Sequence, residues 1–190
     1  MRLASTGKIN TTNVLTAVGF LSNHFVPANL PICVDFDHVF DPMNPSRCFA
    51  RSNIENPSEN LFYITKPSQT VLNQVESGVI SLGKYFSILP CKSTAIEDSV
   101  NYANNLMVAA FIVSEQDTTA ELANVVKSVY DAMGVAYKTS VCEDTPHCVK
   151  FVVNGITVCR VETFLVKDLY VSVADVIAEP VFSIARTLIN

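Results

Sequence analysis

The chain has 190 residues, of which 49% are hydrophobic and 16% charged, and its formal net charge is −5. An average soluble domain carries ~25% charged residues, so this chain has unusually little charge with which to cover a surface. A sequence-independent nucleic-acid binder needs clustered cations to displace phosphate counterions, and no two Lys or Arg residues are adjacent here.

Six cysteines (33, 48, 91, 142, 148 and 159) form no Cys-x-x-Cys pair. Cys142, His147 and Cys148 come nearest to a ligand cluster, but they lack the paired thiolates of a structural zinc site. The simpler expectation is small, half-buried thiols in a reducing compartment. Asn10-Thr11-Thr12 precedes the apolar part of the N-terminus, so no secretory leader is predicted. The longest apolar run, Leu106–Val113, is far too short to span a bilayer. A cytoplasmic or virion location is therefore expected, without a membrane partner.

In chain order, residues 1–10 are small and polar and are expected to form an arm. Val14, Val18, Leu21 and Phe25 share one helical face, which predicts a helix over 13–25 ending before Pro27. Prolines at 27, 31, 42, 45 and 57 make 27–60 irregular, with one short strand at Ile32–Phe36. Leu61–Thr65, Val71–Val75 and Val79–Leu89 are predicted as strands, with Ser77-Gly78 as a turn and Gly83 as a possible bulge.

Thr94-Ala-Ile-Glu97 has the capping-box pattern and predicts a helix over 95–112. The apolar stretch Met107–Val113 equally suits a buried strand. A second capping box, Thr118-Thr-Ala-Glu121, opens a helix over 119–133 whose end is marked by Gly134. Ser172-Val-Ala-Asp175 is expected to cap a last helix over 173–188, interrupted by Pro180.

The most informative stretch is Cys148–Val173. Asn154-Gly155 between alternating apolar residues signals a hairpin, because a type I′ turn needs positive φ at both central positions. A strict two-residue turn sets Val153 opposite Ile156, Phe151 opposite Val158 and Val149 opposite Arg160. Lys167-Asp168 then returns the chain as a third strand. The expected fold is α+β: an antiparallel sheet built on the hairpin and meander of 148–173, packed against about four helices. Residues 11–190 are expected to form one domain.

One segment suggests catalysis. Ile32-Cys-Val-Asp-Phe-Asp-His-Val39 places an apolar strand before Asp-x-Asp-x-Val. It resembles the first motif of the haloacid-dehalogenase phosphohydrolases. That resemblance implies Asp35 as nucleophile and Asp37 as general acid beside Mg²⁺, at the end of a parallel strand. His38 stands where that family has glycine, and no strand–helix alternation follows. Asp35, Asp37 and Asp41 together could instead gather a hard cation through their oxygens.

The composition favours another reading: a non-enzymatic, oligomeric structural or assembly subunit, of a viral particle or other large complex, needing no cofactor. Its partners are copies of itself or another protein, with nucleic acid disfavoured. A helix over 95–112 would be apolar on nearly every side, as would one over 173–188, and such helices suit subunit contacts. Phe111, Ile112, Phe182 and Ile189 are the candidate interface residues. A single-stranded nucleic-acid-binding module with a local cationic patch is the third class considered.

Overall fold

The structure is a computed structural model. It describes residues 11–31, 33–35, 61–63, 66–92, 104–142, 147–153 and 155–178. Among these, the helices are α1 (Thr11–Leu21), α2 (Pro67–Glu76) and α3 (Thr119–Met133). The strands are β1 (Val26–Pro27), β2 (Cys33–Asp35), β3 (Leu61–Tyr63), β4 (Gly83–Lys92), β5 (Asn104–Ser114), β6 (Lys138–Val141), β7 (Cys148–Val153), β8 (Ile156–Val166) and β9 (Leu169–Ala178).

Seven strands form one sheet in the order β1-β4-β5-β9-β8-β7-β6. It is antiparallel except for the short parallel pair β1–β4. Strands β2 and β3 form a separate antiparallel pair.

Helices cover both faces of the large sheet. On one side α1 and α3 bury Leu21, Leu122, Val126 and Tyr130 against Ala110, Ile112, Phe151, Val161 and Ala174. On the other, α2 sets Val71, Leu72 and Val75 on Phe111, Val113, Val171 and Val173. A strand with a helix on each face is apolar at every position. That corrects the expected helix at 95–112: residues 104–114 are the interior strand β5, and 93–103 lie outside the described residues. Phe111 packs under α2 and Ile112 under α1 and α3, with 0% and 2% exposure within the single chain. The same reason corrects the start of the expected helix at 173–188, where 173–178 belong to β9. Phe182, Ile189 and the remainder of that segment lie outside the described residues, as do the arm at 1–10 and most of 27–60.

The strand expected at Val71–Val75 is instead α2. Pro67 occupies its first turn, where a missing N–H costs nothing. Gln69 Oε1 reaches back to the Lys66 N–H at 3.4 Å. Val71, Leu72 and Val75 then fall on one helical face, although Val71 and Val75 alone also match a strand period. Gly78, at φ 75°, is not a hairpin turn but lies just past the end of α2. Gly83 shows no bulge in its ladder to β5; a Cβ there would meet the Tyr85 ring at 2.8–2.9 Å.

The meander forms as expected, with one change. Val153 pairs with Ile156 and Val152 with Thr157, but Phe151 pairs with Cys159 and Val149 with Val161. Val158 is thus an extra residue, a β-bulge. The bulge lets consecutive residues Val158 and Cys159 both turn into the core, each 5% exposed or less. Helix α3 spans 119–133 and ends on Gly134 in the left-handed region, as its sequence implies.

Candidate functional site: a cleft where two strands part

The β8–β9 ladder runs from Val166–Leu169 to Val161–Ala174. Beyond that point residues 157–160 continue along β7, while Ala178 of β9 pairs with Val108 of β5. The two strands part, and a cavity of about 270 Å³ lies at the parting. It is lined by Thr157, Val158, Cys159 and Arg160 of β8, Asp175 of β9, and Lys66 at the start of α2.

Asp175 is the anchor. It lies two residues beyond Val173, so alternation points it to the α2 side of the sheet. Its Oδ1 accepts the Ser68 N–H at 2.6 Å and its Oδ2 accepts the Ser68 hydroxyl at 2.9 Å. Lys66 Nζ stands 3.7 Å from Oδ2. Burial pushes the Asp175 carboxyl above the usual carboxylate range, against the pull of Lys66 and the Ser68 donors. Glu162 of β8 adds to the upward push through its charge, and its Oε1 lies 3.8 Å from the Arg160 guanidinium. The cleft therefore offers two partly exposed cations, Lys66 and Arg160, beside a carboxylate held rigidly by the end of a helix.

A second polar group lies at the start of α3. Asp117 Oδ1 accepts the Thr119 N–H at 2.8 Å and its hydroxyl at 2.6 Å, and Oδ2 meets His147 Nδ1 at 2.5 Å. From Thr119 a row of hydroxyls continues through Thr163 and Ser172 to Thr118, in steps of 2.6–2.8 Å. Burial pushes Asp117 up, but the Thr119 and His147 contacts outweigh it and leave this carboxyl below its ordinary range. Thr118 thus does not cap the helix with its own hydroxyl, as its sequence pattern suggests; Asp117 does so from one position earlier. Glu121 pairs with Lys84.

Cys142 and Cys148 are joined as a disulfide, which corrects the expectation of separate thiols there. The pairing of β6 with β7 brings them together, and β6 was not legible in the sequence. Of the sequence candidates for catalysis, Asp35 ends β2 in the two-stranded antiparallel sheet, opposite Leu61. This is not the parallel strand end that the phosphohydrolase resemblance implies. Asp37 and Asp41 lie outside the described residues. Sequence reasoning missed Asp175, Ser68, Lys66 and Arg160, because the topology that unites them spans more than a hundred positions.

No family model matches the chain, and no curated protein does. Solved structures do match. A pyrrolysyl tRNA synthetase from Desulfitobacterium hafniense superposes with a TM-score of 0.67 at 9% identity, covering 92% of this chain and 68% of that one. A second structure of pyrrolysyl-tRNA synthetase from that organism gives 0.65 at 9% identity, with the same coverage. The cytoplasmic serine-tRNA ligase of Naegleria fowleri, in complex with AMP, gives 0.70 at 11% identity, covering 92% of this chain and 47% of that one. In fold, the chain is similar to aminoacyl-tRNA synthetases.

At these identities the likeness is one of fold. It nonetheless overturns the expected non-enzymatic assembly subunit of a viral particle, because the neighbours in fold are enzymes. It also overturns the exclusion of nucleic acid as a partner, since those enzymes act on tRNA. Phe111 and Ile112, assigned in sequence to a contact between chains, are covered by helices of this same chain. A sheet covered on both faces buries apolar residues at consecutive positions of a strand within one chain. Among the described residues no helix is long and apolar enough to cross a membrane.

Proposed function

We propose that this chain is a synthetase-type catalytic domain whose ligand site is the cleft between β8 and β9. The observation that carries this is the cleft itself: Arg160 and Lys66 at its walls, with Asp175 fixed between the helix start and the sheet. Its volume of about 270 Å³ is near the lower end for small-molecule sites, so it suits the charged end of a ligand. The cations match a phosphate or carboxylate, and Asp175 matches an ammonium group.

The reaction this arrangement supports is acyl activation. A carboxylate oxygen attacks the α-phosphorus of a nucleoside triphosphate, and the bond to pyrophosphate breaks. Charge builds on the phosphoryl oxygens, where preorganised cations lower the barrier. The serine-tRNA ligase of similar fold is bound to AMP, in keeping with such a ligand.

The test is amino-acid-dependent exchange of labelled pyrophosphate into ATP, run across the amino acids and repeated with Arg160→Ala. Exchange lost in the variant, with the fold intact by circular dichroism, is the expected result. No exchange with any amino acid, and no binding of ATP or AMP at millimolar concentration, would end this reading.

A further inference from the structure

We propose that Cys142, Cys148 and Glu162 form a Zn²⁺ site when the Cys142–Cys148 disulfide is reduced. The proposal is independent of nucleotide chemistry in the cleft, and its test reads metal binding alone.

Cys148 stands directly opposite Glu162 in the β7–β8 ladder, so their side chains share one face of the sheet. Cys148 Sγ lies 3.8 Å from Glu162 Oε1. Cys142 follows the end of β6, and its N–H donates to the Cys148 carbonyl at 3.1 Å. Its Cα is 5.4 Å from that of Cys148. Three donors, two sulfur and one oxygen, therefore converge from three adjacent strands or their ends.

These separations suit a tetrahedral ion. Zinc bonds thiolate sulfur at about 2.3 Å and carboxylate oxygen at about 2.1 Å. Tetrahedral angles then put sulfur and oxygen about 3.6 Å apart, and two sulfurs about 3.8 Å apart. The Cys148–Glu162 distance is already close to the first value. The two sulfurs must separate to reach the second value, which breaking their bond allows. Among the described residues, as they stand with the disulfide formed, no group of three His, Cys, Asp or Glu is placed to hold a metal.

The donor set also selects the metal. Two thiolates favour Zn²⁺ over Mg²⁺ or Ca²⁺, which prefer oxygen. Three protein ligands leave a fourth position for water or a ligand group. His147 is not among the ligands: it meets Asp117 at the start of α3, on the side of the sheet that Thr163 faces and Glu162 does not. Cys148 and Glu162 are both largely buried, at 1% for the residue and 16% for the side chain. Arg160, 3.8 Å from Glu162, competes for the carboxylate and must yield it to the metal.

The redox step balances with a dithiol or phosphine reductant. A dithiol gives two electrons and two protons to the Cys142–Cys148 bond and becomes a disulfide itself; a phosphine gives the two electrons and takes the oxygen of a water to become its oxide, and that water supplies the two thiol protons. Zinc binding then displaces the two thiol protons, so each ion bound releases two protons.

The experiment titrates Co²⁺ and Zn²⁺ into the oxidised protein and into protein reduced with a phosphine that is then removed. The expected result is one ion per chain in the reduced form only, with a thiolate-to-cobalt charge-transfer band and tetrahedral d–d bands that Zn²⁺ bleaches. Glu162→Gln should weaken binding at least tenfold, and Cys148→Ser should abolish the charge-transfer band. Cys159→Ser is the control and should change neither. Should Cys148→Ser fail to fold, Cys142→Ser and Glu162→Gln still decide the matter. Equal binding by oxidised and reduced protein, a cobalt spectrum unchanged by Cys142→Ser, or an affinity unchanged by Glu162→Gln would overturn the proposal.

Discussion

Ser68 and Asp175, 107 positions apart in sequence, are joined by two hydrogen bonds of 2.6 and 2.9 Å from the backbone N–H and hydroxyl of Ser68 to the Asp175 carboxylate. A carboxylate on the sheet thereby satisfies an N–H in the first turn of α2 that the helix cannot satisfy itself. The link pins the helix to the strand that forms one wall of the cleft. Asp175→Ala is expected to cost about 1–2 kcal/mol, the range for losing a helix cap. A denaturation midpoint unchanged from wild type would show that α2 is held by its apolar face alone.

Asp175 also makes stability depend on pH. Its carboxyl titrates above its ordinary 3.8 in the folded protein. As pH rises past 3.8, the unfolded chain releases this proton before the folded one does, so unfolding is favoured. Wild type should therefore lose stability relative to Asp175→Asn as pH rises from 3.8 through the raised value, then level off. Urea melts of both proteins across that window check the sign, and a gap that grows in favour of wild type would contradict it.

Asp117 has the opposite sign. Its folded carboxyl titrates below 3.8, so it contributes stability above that pH, lost as pH falls through the folded value. At neutral pH, Asp117→Ala should cost about 1 kcal/mol through the lost cap, and more than Thr118→Ala. Equal losses from the two variants would return the capping role to Thr118.

Phe111 sits at 0% exposure between α2 and the sheet, stacked on Tyr85 with ring centroids 5.3 Å apart. Phe111→Ala is expected to cost about 3–5 kcal/mol. A loss under about 1 kcal/mol would mean that the core on the α2 side is not packed as described.

The parts of this fold that were legible in sequence are those written locally. The β7–β8 turn is carried by Gly155, at φ 80°. The second turn is carried by Lys167, at φ 54°. Helix α3 shows its stripe of Leu122, Val126 and Val129 and its terminal Gly134. What failed was periodicity where both faces are covered. Along β5, Val108 to Val113 are apolar at every position, and no period separates strand from helix there. The bulge at Val158 was invisible too, because an extra residue in a ladder depends on what lies across it. The cleft was the least legible part. Lys66 and Ser68 meet Asp175 only through the order of strands in the sheet, and nothing around Ser68 or Asp175 alone marks either as a partner.

The central claim is that the β8–β9 cleft binds an anionic ligand through Arg160 and Lys66. Isothermal titration of AMP and ATP into wild type, Arg160→Ala and Asp175→Asn tests it most directly. Saturable one-to-one binding by wild type is expected, weakened at least tenfold by Arg160→Ala. Binding equal in wild type and Arg160→Ala, or no binding by a wild-type protein shown to be folded, would contradict it.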